Sequence, residues 1–159
     1  MNYGSLVVGA KMASPSVPLI RHAVRTANGA PITVVHVRVP PTGWAACTTW
    51  SASALRMWAD ECESEIRTAA LIALDAYDGP WRVVVRNGDP ARELVALAEA
   101  ERARAVILGE STPRRRPFKT VVEKVRSLTP RELVVVPDLA TVDSGVFADL
   151  WFEASPESL

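Results

Sequence analysis

Apolar positions fall into five short runs, at 6–10, 32–39, 83–85 with Trp81 leading in, 105–108 and 133–136. Four are rich in β-branched residues, and the run at 105–108 is apolar on both faces. Runs of this kind suit strands covered on both sides, as in a parallel sheet. Between them the apolar spacing becomes helical. Leu19, Ile20, Ala23, Val24 and Ala27 form one stripe, with Ser16 as a candidate N-cap and Asn28-Gly29 as a stop. Leu55, Trp58, Ala59, Cys62, Ile66, Ala69, Ala70, Ala73 and Leu74 trace a longer inward stripe, ended by the turn composition Asp78-Gly79-Pro80. In the third segment Asp89 is placed to cap a helix with Pro90 at its first position, and Leu94, Val95, Leu97 and Ala98 face inward. The fourth carries Phe118, Val121, Val122, Val125 and Leu128, and Thr129-Pro130 ends it.

The predicted order is strand and helix in strict alternation, β-α-β-α-β-α-β-α-β. Alternation implies right-handed crossovers and a parallel sheet with helices on both faces, a three-layer α/β/α architecture. Such sheets bind ligands beyond the carboxyl ends of their strands. The connections at 10–16, 39–52, 86–90 and 109–117 are therefore where chemistry is expected.

Bulk properties narrow the classes. A chain of 159 residues is enough for one domain with a full core. Lysine plus arginine and aspartate plus glutamate number 18 each, so no global charge draws the chain to nucleic acid or to a membrane surface. No apolar run approaches the roughly 18 residues that span a bilayer. The N-terminal run has no basic segment before it and reads as a first strand rather than a signal peptide. Cys47 and Cys62 show no metal or redox spacing and fit reduced thiols in a bacterial-type cytoplasm, with a single disulfide left open.

The stretch GESTPRRRPFKT at 109–120 stands where a phosphate loop would lie, but it has one glycine, two prolines and three consecutive arginines. Arg114, Arg115 and Arg116 are chemically able to grip phosphate oxygens, and Lys11 on the neighbouring loop adds a cation at the same edge. The blander reading, a solvated charged loop, is preferred, since charge runs are mostly surface. Only Glu110 offers a carboxylate near this loop, too little for metal-assisted hydrolysis, so no catalytic and no metal-binding residue is assigned. His36 reads as a core-edge histidine, His22 is assigned nothing, and Cys47 and Cys62 lack the cationic neighbours that activate thiols. Trp44 and Trp50 in the 40–52 loop, and Phe147, Trp151 and Phe152 in the acidic tail at 138–159, are large aromatics that call for a partner surface.

With the alternation in place, several stretches resemble the universal stress protein family. They are Ile32-Thr33-Val34-Val35-His36-Val37, Gly88-Asp89-Pro90 with the following helix, the apolar strand ending at Gly109, Glu123-Lys124-Val125, and the return into Val135-Val136-Pro137. The resemblance implies the family's five-stranded parallel, Rossmann-like sheet of the adenine nucleotide alpha hydrolase type over residues 1–137, with 138–159 as an extension. In the ATP-binding subset of that family the first strand ends in an aspartate, and the loop after the fourth strand reads G-x2-G-x9-G-[ST]. Here Lys11 replaces the aspartate, Thr112 and Lys119 replace the second and third glycines, and Thr120 keeps the hydroxyl. What the resemblance then implies is a non-catalytic regulatory stress-response protein, cytoplasmic, dimeric through its fifth strand, with ATP binding weak or absent and no required cofactor. Its tail, through Phe147, Trp151 and Phe152, would meet a protein partner. The alternative is a module binding ATP, AMP or cyclic AMP through Ala10, Lys11, Val35, Gly88, Gly109, Arg114, Arg115 and Thr120. Neither reading involves nucleic acid or a membrane.

Overall fold

The computed structural model describes residues 4–11, 16–39, 52–110 and 120–137. Within them the order is β1 (Leu6–Gly9), α1 (Ser16–Ala27), β2 (Ile32–Arg38), α2 (Ala52–Leu74), β3 (Trp81–Asn87), α3 (Pro90–Ala100), β4 (Ala105–Gly109), α4 (Val121–Leu128) and β5 (Glu132–Val136). All strand pairs are parallel, in the spatial order β3-β2-β1-β4-β5. This is the expected α/β architecture.

Successive side chains on a strand point to opposite faces, and that alternation divides the core in two. Leu6, Val8, Ile32, Val34, Ala105 and Ile107 pack with Leu19, Ile20 and Ala23 of α1 and Ile66, Ala70 and Leu74 of α2. Val7, Val35, Val106 and Leu108 pack on the opposite side with Leu94, Leu97 and Ala98 of α3 and Val125 of α4. A fully buried Leu, Ile or Val side chain contributes about 1.5–3 kcal/mol, so both layers are needed to hold the sheet. The central strand β1 is covered on both sides, which explains its run of apolar residues without polar alternation.

Three details differ from the sequence expectation. First, β3 has seven residues, longer than the apolar stretch 83–85, and pairs from Ile32↔Trp81 to Arg38↔Asn87. At a sheet edge the ladder needs only backbone, so Arg82 and Arg86 stand in solvent without ending the strand. Second, Ser16 is the first residue of α1 rather than its cap, and its hydroxyl donates to the Lys11 carbonyl at 3.0 Å. Third, Trp58 is 58 % exposed instead of inward. It precedes the buried Ile66 by eight residues, which rotates it about 80° away from the core-facing line of an α-helix. Leu128, at the last position of α4, is likewise exposed. Asn28 and Gly29 both have positive φ and end α1 as expected. Phe118 lies outside the described residues, and α4 begins after Thr120.

Candidate functional site at the carboxyl edge of the sheet

Strand order reverses between β1 and β4, because β2 and β3 lie to one side of β1 while β4 and β5 lie to the other. The helices that follow β1 and β4 pack on opposite faces of the sheet, the arrangement in which α/β proteins form a ligand crevice. Gly9 pairs with Leu108, so Ala10 and Gly109 follow directly at the crevice floor.

Gly9 is required by packing. A Cβ at this position would lie 2.5 Å from Leu108 Cδ2 and 3.3 Å from both Leu94 methyls. The absent side chain lets α3 press on the end of β1. Ala10 is buried, donates its N–H to the Val35 carbonyl at 2.8 Å, and has its own carbonyl 3.4 Å from His36 Nδ1. Lys11 follows, exposed, with its carbonyl held by Ser16. The backbone where β1 turns into the loop is thus fixed at two successive carbonyls by side chains. The blander sequence reading of His36, a histidine at the core edge, describes this placement.

Gly109 meets the crevice differently from Gly9: a Cβ there has nothing within 4 Å. Beyond it, Glu110 is exposed and donates its N–H to the Val136 carbonyl at 2.7 Å. Thr120 caps α4 in a closed capping box. Its hydroxyl accepts from the Glu123 N–H at 3.3 Å, and Glu123 Oε2 accepts the Thr120 N–H at 2.7 Å. The hydroxyl also lies 3.2 Å from that same Oε2. The Thr-x-x-Glu spacing that produces this was legible in the sequence.

Two strands away from β1, Gly88 follows β3 with φ +139°, a conformation that glycine alone adopts at ease. Its N–H donates to the Arg38 carbonyl at 3.0 Å. Asp89 caps α3 through the Arg92 N–H at 3.3 Å and lies 3.7 Å from Lys124 Nζ on α4, a tie between helices that no local motif announces. At about 4.8 Å per strand, Gly88 stands about 10 Å from the end of β1, across the breadth of a small ligand. Val35 is 1 % exposed and its side chain belongs to the core beside α3, so only its backbone faces Ala10. Arg114, Arg115 and Arg116 lie outside the described residues.

The groups with displaced titration are at the opposite, amino-terminal edge. Hydrogen bonding and charge from Arg131 hold the Glu99 carboxyl below its usual range, and Glu99 raises the Arg131 guanidinium in turn. Burial pushes the Tyr77 phenol up. Among the described residues no group of three or more His, Cys, Asp or Glu is arranged to hold a metal ion. None of the described helices is long and apolar enough to cross a membrane.

Residues 2–137 fit the universal stress protein family. The chain belongs to that family. Its fold is shared with UspA from Lactobacillus plantarum at TM-score 0.69 and 16 % identity, covering 86 % of this chain and 99 % of that one. A universal stress protein solved in complex with cAMP aligns at TM-score 0.67 and 20 % identity, over 87 % of this chain and 99 % of that one. The Archaeoglobus fulgidus protein in complex with dAMP aligns at 0.57 and 19 %, over 85 % and 98 %. At these identities the likeness is one of fold. No curated protein sequence matches the chain.

Proposed function

We propose that this universal stress protein is a non-catalytic regulatory protein, active as a cytoplasmic homodimer, whose crevice takes nucleotide weakly or not at all. The observation that carries the reading is the closed N-terminus of α4. The amide and hydroxyl of Thr120 that a phosphate would seek already face the Glu123 carboxylate. An incoming phosphate must displace a charge-assisted bond to gain one. Lys11 in place of an acidic residue, and a loop with one glycine, point the same way. Thermal denaturation with ATP, AMP and cyclic AMP tests this. Saturation at about 100 times the dissociation constant adds about 2.7 kcal/mol, a shift of several degrees, whereas the proposal expects none at millimolar nucleotide.

Dimerisation through β5 is supported by comparing the two sheet edges. Antiparallel pairing of two β3 strands about Val84 would set Arg82 opposite Arg86, like charge against like. Pairing two β5 strands about Val134 sets Leu133 opposite Val135 and Glu132 opposite Val136, with no such conflict. Light scattering checks it: Val135→Lys is expected to yield folded monomer. We further propose that residues 138–159 form an extension to the 1–137 domain and meet a protein partner through Phe147, Trp151 and Phe152, all outside the described residues. A chain ending at 137 should then fold and lose that partner.

A second reading is favoured by the relatives solved with cAMP and dAMP. In it Ala10, Lys11, Val35, Gly88, Gly109, Arg114, Arg115 and Thr120 form a nucleotide site, with lysine and arginine gripping the phosphate. A thermal shift that Arg115→Ala or Lys11→Ala abolishes would select it.

A further inference from the structure

We infer that the segment from Asp149 to Glu153 lies as an added strand on the β3 edge of its own chain when no partner holds it. The inference goes beyond the partner reading above, since it names where the same apolar segment rests between encounters. Among the described residues β3 pairs only with β2, so its far side is a sheet edge. The bonds at its two ends fix which groups face outward. The Ile32 N–H donates to the Pro80 carbonyl at 2.9 Å, and the Gly88 N–H donates to the Arg38 carbonyl at 3.0 Å. Backbone bonding alternates along a parallel ladder, so the even-numbered residues of β3 serve β2. Trp81, Val83, Val85 and Asn87 therefore turn their N–H and C=O groups to the edge. Side chains alternate as well, with Arg82, Val84 and Arg86 on the α3 side and Val83 and Val85 on the α2 side.

A strand that fits this edge carries two carboxylates four residues apart with apolar residues between them. Residues 149–153, Asp-Leu-Trp-Phe-Glu, meet each requirement and lie outside the described residues. With Trp151 opposite Val84, Asp149 stands opposite Arg86 and Glu153 opposite Arg82, while Leu150 and Phe152 stand opposite Val85 and Val83. Opposite charges and aromatic–β-branched pairs are the combinations that stabilise neighbouring strands, and Trp151 is in diagonal reach of both guanidiniums. No proline interrupts 138–155, so every amide the pairing needs is present. The arginines that oppose pairing of two β3 strands thus select an acidic one. Reach and direction favour the chain's own tail. β5 and β3 lie four strand spacings apart, roughly 19 Å, and residues 138–149 can span roughly 40 Å. The chain leaves β5 at the carboxyl edge, so Asp149 meets Arg86 first and the added strand runs antiparallel, the stronger pairing. A tether of this length also holds the segment at a concentration on the order of millimolar.

Amide hydrogen exchange of Val83 and Val85 in the full-length protein, followed by nuclear magnetic resonance, tests the inference. Both amides should exchange about tenfold or more slowly in the native chain than in Asp149→Lys. Arg86→Glu should lose the same protection, and the double variant Arg86→Glu with Asp149→Lys should regain it. Arg86 is exposed and Asp149 lies beyond the 1–137 domain, so these variants should fold, and circular dichroism verifies that. The protection should not change over a tenfold range of protein concentration. Equal exchange in the native chain and Asp149→Lys overturns the inference and leaves the partner reading intact, since that reading is decided by partner loss in the chain ending at 137. Protection that fades on dilution assigns the strand to a second copy and overturns the inference as well.

Discussion

The Thr33 hydroxyl donates to the Glu101 carboxylate at 2.9 Å, joining β2 to the end of α3 inside the amino-terminal edge of the sheet. Ser5 adds a bond to the same carboxylate at 3.3 Å and Arg82 pairs with it, so one side chain ties β2, β3 and the residue preceding β1 to the end of α3. Thr33 and Ser5 are both buried. Replacing Glu101 by Ala strands their hydroxyls. Urea denaturation should show a loss of about 2–4 kcal/mol, since each buried polar group left unpaired costs about 1–3 kcal/mol. Arg82→Ala, at an exposed position, should cost under about 1 kcal/mol.

The two glycines at the crevice should respond in opposite ways. Gly9→Ala drives a methyl to 2.5 Å from Leu108 Cδ2, and overpacking of this kind costs about 1–3 kcal/mol. Gly109→Ala meets nothing within 4 Å and should leave stability unchanged or slightly raised, by at most about 1 kcal/mol. Melting temperatures of the pair decide it.

The capping box of α4 can be read separately from any ligand. Thr120→Ala removes the acceptor for the Glu123 N–H and should cost about 0.5–2 kcal/mol in chemical denaturation. A much smaller loss would mean that α4 is held by Val125 and its neighbours alone.

Stability should vary with pH at both extremes for different reasons. Arg131 lowers the Glu99 carboxyl, so the folded state binds its proton less readily than the unfolded chain. That contribution is present above the ordinary carboxylate range and is lost as pH falls through the folded value. Burial raises the Tyr77 phenol, whose hydroxyl donates to the Ala30 carbonyl. Its contribution is present below the ordinary tyrosine range and is lost as pH rises through the folded value. Melting curves across pH should therefore flatten on the acid side in Glu99→Gln and on the alkaline side in Tyr77→Phe.

Much of this was legible beforehand because it depends on neighbours in sequence. Period and punctuation locate each strand and helix of the described residues, and Asp89-Pro90 and Asn28-Gly29 mark real ends. The misplacements share a cause. Helical spacing put Trp58 on the inward stripe and Leu128 in the apolar set of α4, but the sheet covers only part of each helix's circumference and both are exposed. The length of β3 was underestimated because an edge strand tolerates Arg82 and Arg86. At the site, Thr120 and Glu123 announce their bond through spacing, but the Asp89–Lys124 tie and the His36 ring beside the Ala10 carbonyl join residues distant in sequence.

By itself the order of residues determined the alternation of elements, the two-sided burial of the central strands and the family, since each follows from local period and short motifs. Tertiary structure alone decided that β1 and β4 lie side by side, that Gly9 must lack a side chain, and that Glu101 gathers Ser5, Thr33 and Arg82. Those facts depend on which distant surfaces come within a few ångströms, and dispersion and hydrogen bonds act only at that range.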